Sequence, residues 1–569
     1  MHFSAALALA LSPAVLSASA SAPASQRPPS PAKFAPSPEH ARENAPHVFN
    51  AVHSAMRQWG SSIHHNGLGV IPATVPRGTL LYHGARRNET PAAFEWLAFE
   101  MEHSEGFARS WRGGDGFRPP RPPGPPGKGH RPPGWGDDKD GQRVLTGDDD
   151  DDGHHAPTGE PASRGYFHTY RANRDLKLLY IDGMGAGKTN MGTLDTQDFL
   201  LRGVLSAPAL GEYERARDVC ALVKSWGLDG VIRMEIGFEA IYCDFSDGLD
   251  QVSVLRRPWS DQAEGVGSID MFEWARAVGQ RYDGIGGGRV RLGFGSMVSS
   301  AWYPVNVSNP NGRKEMPRLG KLEEGQRDVI LKRVEEVVKG GVVGSVDWQG
   351  VVDMIVSRHA DRIEALADEG EDGGDYAFVS QVLVVTNTFV DYLRDESDAD
   401  VTMKGDIVAD AKGRCVRQYL TPAAVWKDEW TAEDALIFEA VKTVVERICG
   451  DLYAVRGIVL EAEPKLASAF SEAEMTRVVG ASAREREIGD AVRRGREVVR
   501  GLKGYLGWSV WKKCKPGCGV AEVCFVAMWP FGLKRDHYSP SCQNRTALMG
   551  RRTVDGEGYW DFEPGPFGV

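Results

Sequence analysis

The stretch from 112 to 164 constrains this chain more than any other feature. It contains RPPRPPGPPGKGHRPPGWGDDKDG and the run Asp148 to Asp152. Rich in Pro, Gly and Asp, it cannot bury enough apolar surface to offset its ordering entropy, so it reads as disordered. The acidic run could hold calcium loosely, but a solvated loop is its first reading. Patterned sequence lies on both sides, so any core must be assembled across the gap. Before it stand GTLLYHG, a strand, and AAFEWLAFEMEHSEGFARSW, part strand and part helix. After it come two strand-like runs in GYFHTYRANRDLKLLYID, the helical EYERARDVCALVKSWG, and the strand pair DGVIRMEI and FEAIYCDF. Residues 46–257 therefore read as one α+β domain with a disordered insertion at 112–164.

From 262 the pattern turns helical, in KLEEGQRDVILKRVEEVVKG, DWQGVVDMIVSRHADRIEALAD, YAFVSQVLVVTNTFVDYLRD, TAEDALIFEAVKTVVERICG and the arginine-rich run from Glu472 to Gly504. Thr431 and Asp434 open the fourth as a capping box. An extended stretch, RVRLGFGSMVSSAWYPVNVS, interrupts them. Residues 262–503 read as a mainly helical domain, whose Arg493, Arg494, Arg496 and Arg500 are ordinary solvated surface. Residues 504–569 read as a small tail rich in Trp, Pro, Gly and Cys. At 569 residues, more than one domain is expected.

The first 20 residues, MHFSAALALALSPAVLSASA, have the apolar core and the small-x-small end, Ala18-Ser19-Ala20, of a secretory signal. Residues 21–45 read as a flexible leader. No later run is long and apolar enough to span a membrane. The net charge of −11, from 67 basic and 78 acidic residues, argues against a general nucleic-acid binder.

In an oxidising compartment the even set of cysteines should pair. Cys220 with Cys243 is the natural first pair and Cys415 with Cys449 the second; Cys514, Cys518, Cys524 and Cys542 crowd the tail. Zinc is the rival there, but the spacing lacks paired C-x2-C knuckles. Asn88, Asn306 and Asn544 stand in glycosylation sequons.

DLKLLYIDGMGAGKT, residues 175–189, looks like a phosphate loop. Gly187, Lys188 and Thr189 fit the end of G-x-x-x-x-G-K-[S/T]. However, Asp182 holds the first glycine's place and would repel phosphate. Gly192 sits where the following helix should begin. A nucleotide binder at 183–189 is therefore the third-ranked reading. Its apolar half is expected as a central strand between the strands of His83 and Glu239, with Lys188 a bystander.

A different site is suggested by LLYHGARRN, WLAFEMEHSEGFA and GFEAIYCDFSDGLDQVSVL. In that order they resemble the three motifs of ADP-ribosyltransferases of the His-Tyr-Glu type, over residues 80–257. The resemblance implies NAD as the bound molecule. His83 would bond the adenosine-side ribose, Gly84 would allow close backbone approach, Trp96 would stack on nicotinamide, and Glu239 would be the catalytic carboxylate. Such chemistry suits those residue types, because breaking the nicotinamide–ribose bond builds positive charge that a carboxylate stabilises. Trp stands where the family has Tyr. Gly237 and Phe238 stand where arginine-directed members carry an acid, so transfer to arginine is not implied.

The whole chain also resembles a group of secreted filamentous-fungal proteins of uncharacterised function, through LLYIDGMGAGKT with GTLDTQD, WGLDGVIRMEIGFEAIYCDF and CGVAEVCFVAMWPFG. That likeness implies secretion and disulfides.

Three readings follow. The first is an NAD-consuming enzyme, a transferase with a protein acceptor or a glycohydrolase. The second is an inert secreted protein that binds an extracellular partner. The third is the nucleotide binder. No Gly-x-Ser-x-Gly elbow and no His-Glu-x-x-His zinc motif occurs, and no metal site is expected.

Overall fold

The computed structural model describes residues 34–108, 110–111, 164–204, 211–260, 271–309, 313, 315–341, 344–368, 374–391, 405–480, 484–549 and 558–560. The signal expected at 1–20 and residues 112–163 of the insertion lie outside that set. From Ala35 onward the chain forms one compact unit.

A capped helix lies inside the expected leader. Ser37 accepts a hydrogen bond from the His40 amide and Pro38 follows it, so this pair starts helix α1, Pro38–Glu43. Ala41 is buried. The described part of the expected leader at 21–45, residues 34–45, is thus structured. Helices α2 (Ala45–Ser54) and α3 (Gln58–Ile63) follow.

The N-terminal half builds a mixed sheet. Its strands are β1 (Asn66–Val75), β2 (Leu80–Ala85), β3 (Glu95–Ala98), β5 (Tyr166–Ala172), β6 (Leu176–Gly183), β7 (Gly230–Met234), β8 (Phe238–Tyr242) and β9 (Leu249–Arg256), with β4 (Ser110–Trp111) and β10 (Trp259–Ser260) paired beside it. Strands β11 (Arg291–Leu292) and β12 (Val298–Ser299) both add to β1, which places part of RVRLGFGSMVSSAWYPVNVS on the sheet edge. The order is β11-β1-β6-β7-β8-β3-β2-β5-β9. Strands β6 and β7 run parallel, and helix α5 (Glu212–Ser225) lies in the crossover that such a pair requires. Both strands are almost wholly buried, which is why they read as continuous apolar runs.

Strand β6 was expected between the strands of His83 and Glu239; it lies between β1 and β7 instead. The tight turn at Glu235–Gly237 forces β8 against β7, so only the outer edge of β8 is left for β3, with β2 beyond it.

Helix α4 (Met101–Glu105) follows β3, and α6 (Met271–Gly279) opens the helical half. Then come α7 (Glu324–Gly340), α8 (Trp348–Ala367), α9 (Gly374–Asn387), α10 (Gly405–Ala424), α11 (Ala432–Ala462), α12 (Glu472–Gly480) and α13 (Glu485–Leu506). The capping box of α11 forms, with Thr431 Oγ1 accepting from the Asp434 amide at 3.0 Å.

All eight cysteines pair: Cys220–Cys243, Cys415–Cys449, Cys514–Cys524 and Cys518–Cys542. The tail sulfurs are spent in these bonds, so they are not zinc ligands. The tail hairpin, β13 (Glu522–Phe525) and β14 (Ser541–Asn544), packs against α6. Asn88, Asn306 and Asn544 are exposed. No described helix is long and apolar enough to cross a membrane.

Candidate functional site

The register of the sheet decides which of the expected site residues can meet. Tyr82 lies opposite Ala98, and Ala98 opposite Glu239. Directly opposed residues share a face and neighbours along a strand do not. Trp96 and Glu239 therefore share one face, while His83 belongs to the other.

His83 is buried there, its Nδ1 bonded to the Trp96 carbonyl at 2.9 Å and its ring against His168 and Phe245. Gly84 serves packing rather than ligand approach: a Cβ on it would stand 2.1 Å from the Ser104 carbonyl of α4. His83, Trp96 and Glu239 thus do not line one cleft, and all three are buried. As they stand, they do not fit NAD in the manner the resemblance implies.

The phosphate loop is not formed. The amides of Gly183, Met184, Ala186, Gly187 and Thr189 donate to Asp182 Oδ1 and to the carbonyls of His65, Met234, Met184 and Gly187. Gly183 has φ +71, and its Cβ position lies 2.5 Å from the Gly67 amide, so glycine is required where β1 and β6 close together. No helix starts at Thr189; a π-helical turn, Thr196–Arg202, comes later.

Lys188 is no bystander. It is fully buried, its Nζ 2.8 Å from Glu235 Oε2 and 3.4 Å from Glu212 Oε2. The Trp529 ring of the tail lies 4.8 Å from the ammonium, and its indole N–H donates to the Lys188 carbonyl.

Around this lysine the fold gathers a buried ionic cluster. The β7–β8 hairpin supplies Arg233, opposite Glu239 in register, and Glu235 in its turn. Arg233 donates to Glu239 Oε1 at 2.9 Å, to Gln197 Oε1 at 2.9 Å and to Glu212 on the first turn of α5. Arg215 pairs with Asp198 behind them. From α4, His103 turns its Nε2 to 3.9 Å from both Glu235 Oε1 and Glu239 Oε2. These three residues are at most 2 % exposed.

The cluster polarises its carboxyls in opposite directions. Burial alone would raise Glu235, but Lys188 and His103 hold it below the ordinary glutamate value. Burial raises Glu239, and the neighbouring charge of Glu235 adds to that, against Arg233. Glu212 would also be raised by burial, yet Arg233, Lys188 and Arg215 hold it at about 2. Several polar atoms meet no hydrogen-bond partner among the described residues: both ring nitrogens of His103, Glu235 Oε1, Gln197 Nε2 and Trp96 Nε1. One ligand atom each from His103, Glu235 and Glu239 lies within 4.8 Å of the others, a donor set that could hold a divalent cation.

Sequence reasoning reached Glu239 and Trp96 and missed His103, Glu212, Arg233 and Glu235. The signal is present in GVIRMEIGFEAIY, where three charged residues sit in and between two apolar strands with no solvent face to take them.

A family model described as the YPL277C N-terminal domain matches residues 39–270. The yeast Saccharomyces cerevisiae has two similar proteins, both described as uncharacterised. YOR389W is 27 % identical, covering 86 % of this chain and 83 % of its own length. YPL277C is 30 % identical, covering 58 % of this chain and 77 % of its own length. No solved structure matches.

Proposed function

The chain belongs to the family of the yeast protein YPL277C, and on that premise we propose that it is a secreted enzyme whose working centre is the cluster of His103, Glu235 and Glu239. The reaction is acid–base cleavage of a glycosidic bond. The nicotinamide–ribose bond of NAD is the form that the sequence resemblance implies. One observation carries the reading: buried polar atoms of His103 and Glu235 converge, without hydrogen-bond partners, beside two carboxyls pushed apart in acidity. A purely structural network satisfies its members, because an unpaired buried polar group is costly. Paired titratable groups with opposed shifts are the usual mark of an acid and its counterpart.

In this reading nicotinamide leaves as a neutral ring that needs no proton, and Glu239, its basicity raised by burial, takes the proton of the water that replaces it on the ribose. Glu235, held ionised by Lys188, stabilises positive charge on the sugar. Trp96 on the same face offers an aromatic wall. His83 is a positioning residue, acting on Trp96 through its backbone carbonyl. Secretion is supported by the four disulfides, which persist in oxidising compartments. Transfer of ADP-ribose to a protein acceptor would be a further step of the same centre.

The second reading, an inert secreted binding protein, is favoured by the sealing of the cluster, since its carboxylates are buried. Nicotinamide release from NAD by the full-length protein separates the two. The enzyme reading expects turnover that falls at least 100-fold in Glu239→Gln and less than tenfold in His83→Ala. Absence of turnover from the wild-type protein establishes the inert reading for this substrate.

A further inference from the structure

Arg281 lies just past the end of α6. Its side chain is 1 % exposed, and Nε, Nη1 and Nη2 all lack a hydrogen-bond partner among the described residues. The carboxylate beside it, Glu100, stands with Oε1 3.4 Å from Nη1. That oxygen is already bonded to Arg289 at 2.7 Å. Arg289 is anchored further by the carbonyls of Phe99 and Ile285. Two guanidiniums thus face one carboxylate, leaving one positive charge uncompensated.

A guanidinium offers five donors in a rigid fork and stays charged at physiological pH. Burying it without acceptors is strongly unfavourable. Burial, with Arg289 nearby, pushes Arg281 down to about 9, which marks the same deficit. Glu100 and Arg289 are 20 % and 26 % exposed, so the buried fork sits behind a rim that reaches solvent. Nη1 faces Glu100, and the Nε–Nη2 edge remains for a bidentate acceptor.

We propose that Arg281 and Arg289 form a binding site for a singly charged oxyanion, the carboxylate or phosphodiester group of a ligand that enters past Glu100. One negative charge matches the one in excess. The chemistry of the site does not depend on that of the glutamate cluster. The site does lie near the β7–β8 hairpin, because the Gln58 amide donates to the Arg281 carbonyl while the Gln58 side chain donates to that of Ile236.

The test is calorimetric titration of the full-length protein with sodium acetate and, separately, sodium dimethyl phosphate, each against sodium chloride at equal ionic strength. Saturable one-to-one binding of at least one oxyanion is expected, and the arm that binds tells carboxylate from phosphodiester. Tm should rise by about 3 °C at a hundredfold excess over Kd. Arg281→Met should abolish both effects and keep an equal or higher Tm without anion, since the unpaired charge is gone. Glu100→Gln should tighten binding at least threefold by removing the competing carboxylate.

Should Arg281→Met not fold, Arg289→Gln at the partly exposed rim gives the answer: binding weakened at least fivefold supports the site, and unchanged binding overturns it. Absence of saturable binding, or an equal anion response in wild type and Arg281→Met, also overturns it. So does a Glu100→Gln protein that loses several degrees of Tm and binds no oxyanion, because Glu100 is then the resident partner of Arg281.

Discussion

Arg233 is the residue on which the buried cluster depends. Its guanidinium contacts Glu239, Gln197 and Glu212 at once, and none of them reaches solvent. Arg233→Met would leave two buried carboxylates short of their main counter-charge, a loss of about 3–5 kcal/mol. Urea unfolding should show the midpoint falling accordingly; a variant within 1 kcal/mol of wild type would mean that Lys188 and Arg215 suffice. Asp182 is a second informative residue. Its carboxyl is buried and raised to about 6, although the amides of Gly183 and Leu68 favour its charged form. The native state therefore holds a proton that the unfolded chain has released between pH ~4 and ~6. The contribution of Asp182 to stability therefore falls as pH rises through that window, and the cost persists above it. Asp182→Asn keeps an acceptor for the Gly183 amide and removes the charge. It should gain on the order of 1–3 kcal/mol over wild type at pH 7, a difference that shrinks as pH falls from ~6 to ~4. Thermal scans from pH 4 to 8 check this, and a variant less stable than wild type at pH 7 refutes it.

At the scale of elements, the α11 cap is the best-defined local signal. Thr431 Oγ1 accepts from Asp434 and donates to the Gly295 carbonyl at 2.7 Å, so it also ties α11 to the turn beside β11. Thr431→Ala should cost about 1–2 kcal/mol, read from the urea midpoint. Elements with such local signals were legible in the sequence: α5, α7, α8, α11 and the β7–β8 pair follow apolar period and caps. Helix α10 was not, because Gly405, Gly413 and Pro422 read as breakers; its helical state is supported by tertiary packing and by the Cys415–Cys449 bond to α11. The strand order was not legible either. Which edge β3 joins depends on β8 being held to β7 by a short turn, and nothing in the composition of β3 states that. For the site, Glu239 was legible from a motif pattern. The role of Lys188 was not legible, because Gly187-Lys188-Thr189 carries the pattern of a phosphate cradle and nothing in it points to a buried ion pair with Glu235. The face of His83 follows from register alone, and one residue along a strand reverses it.

Across the whole molecule, buried histidines set the acid limit. His64, His65 and His359 are each lowered to about 3, foremost by burial. The native state keeps them neutral while the unfolded chain binds protons below pH 6.5. Stability is therefore fully present above about pH 6.5 and is lost as pH falls toward 3. Their combined loss outweighs the opposite gain from Asp182 and should lower Tm by many degrees between pH 7 and pH 4.5. An unchanged Tm over that range would mean that these rings are not neutral in the folded protein. The packing also joins sequence-distant parts: the tail's Trp529 and Tyr559 reach Lys188 and His65. Truncation after residue 503 should therefore destabilise the sheet as well as remove the tail.

Whether the His103–Glu235–Glu239 cluster is a working centre or an inert ionic core is decided most directly by measuring Tm and nicotinamide release on the same preparation of Glu239→Gln. A working centre holds its carboxyls against their own stability. The variant should then keep a Tm equal to or above wild type while NAD turnover falls at least 100-fold. A fall of several degrees in Tm, together with no turnover by the wild-type protein, would contradict the enzyme reading and leave the cluster a structural one.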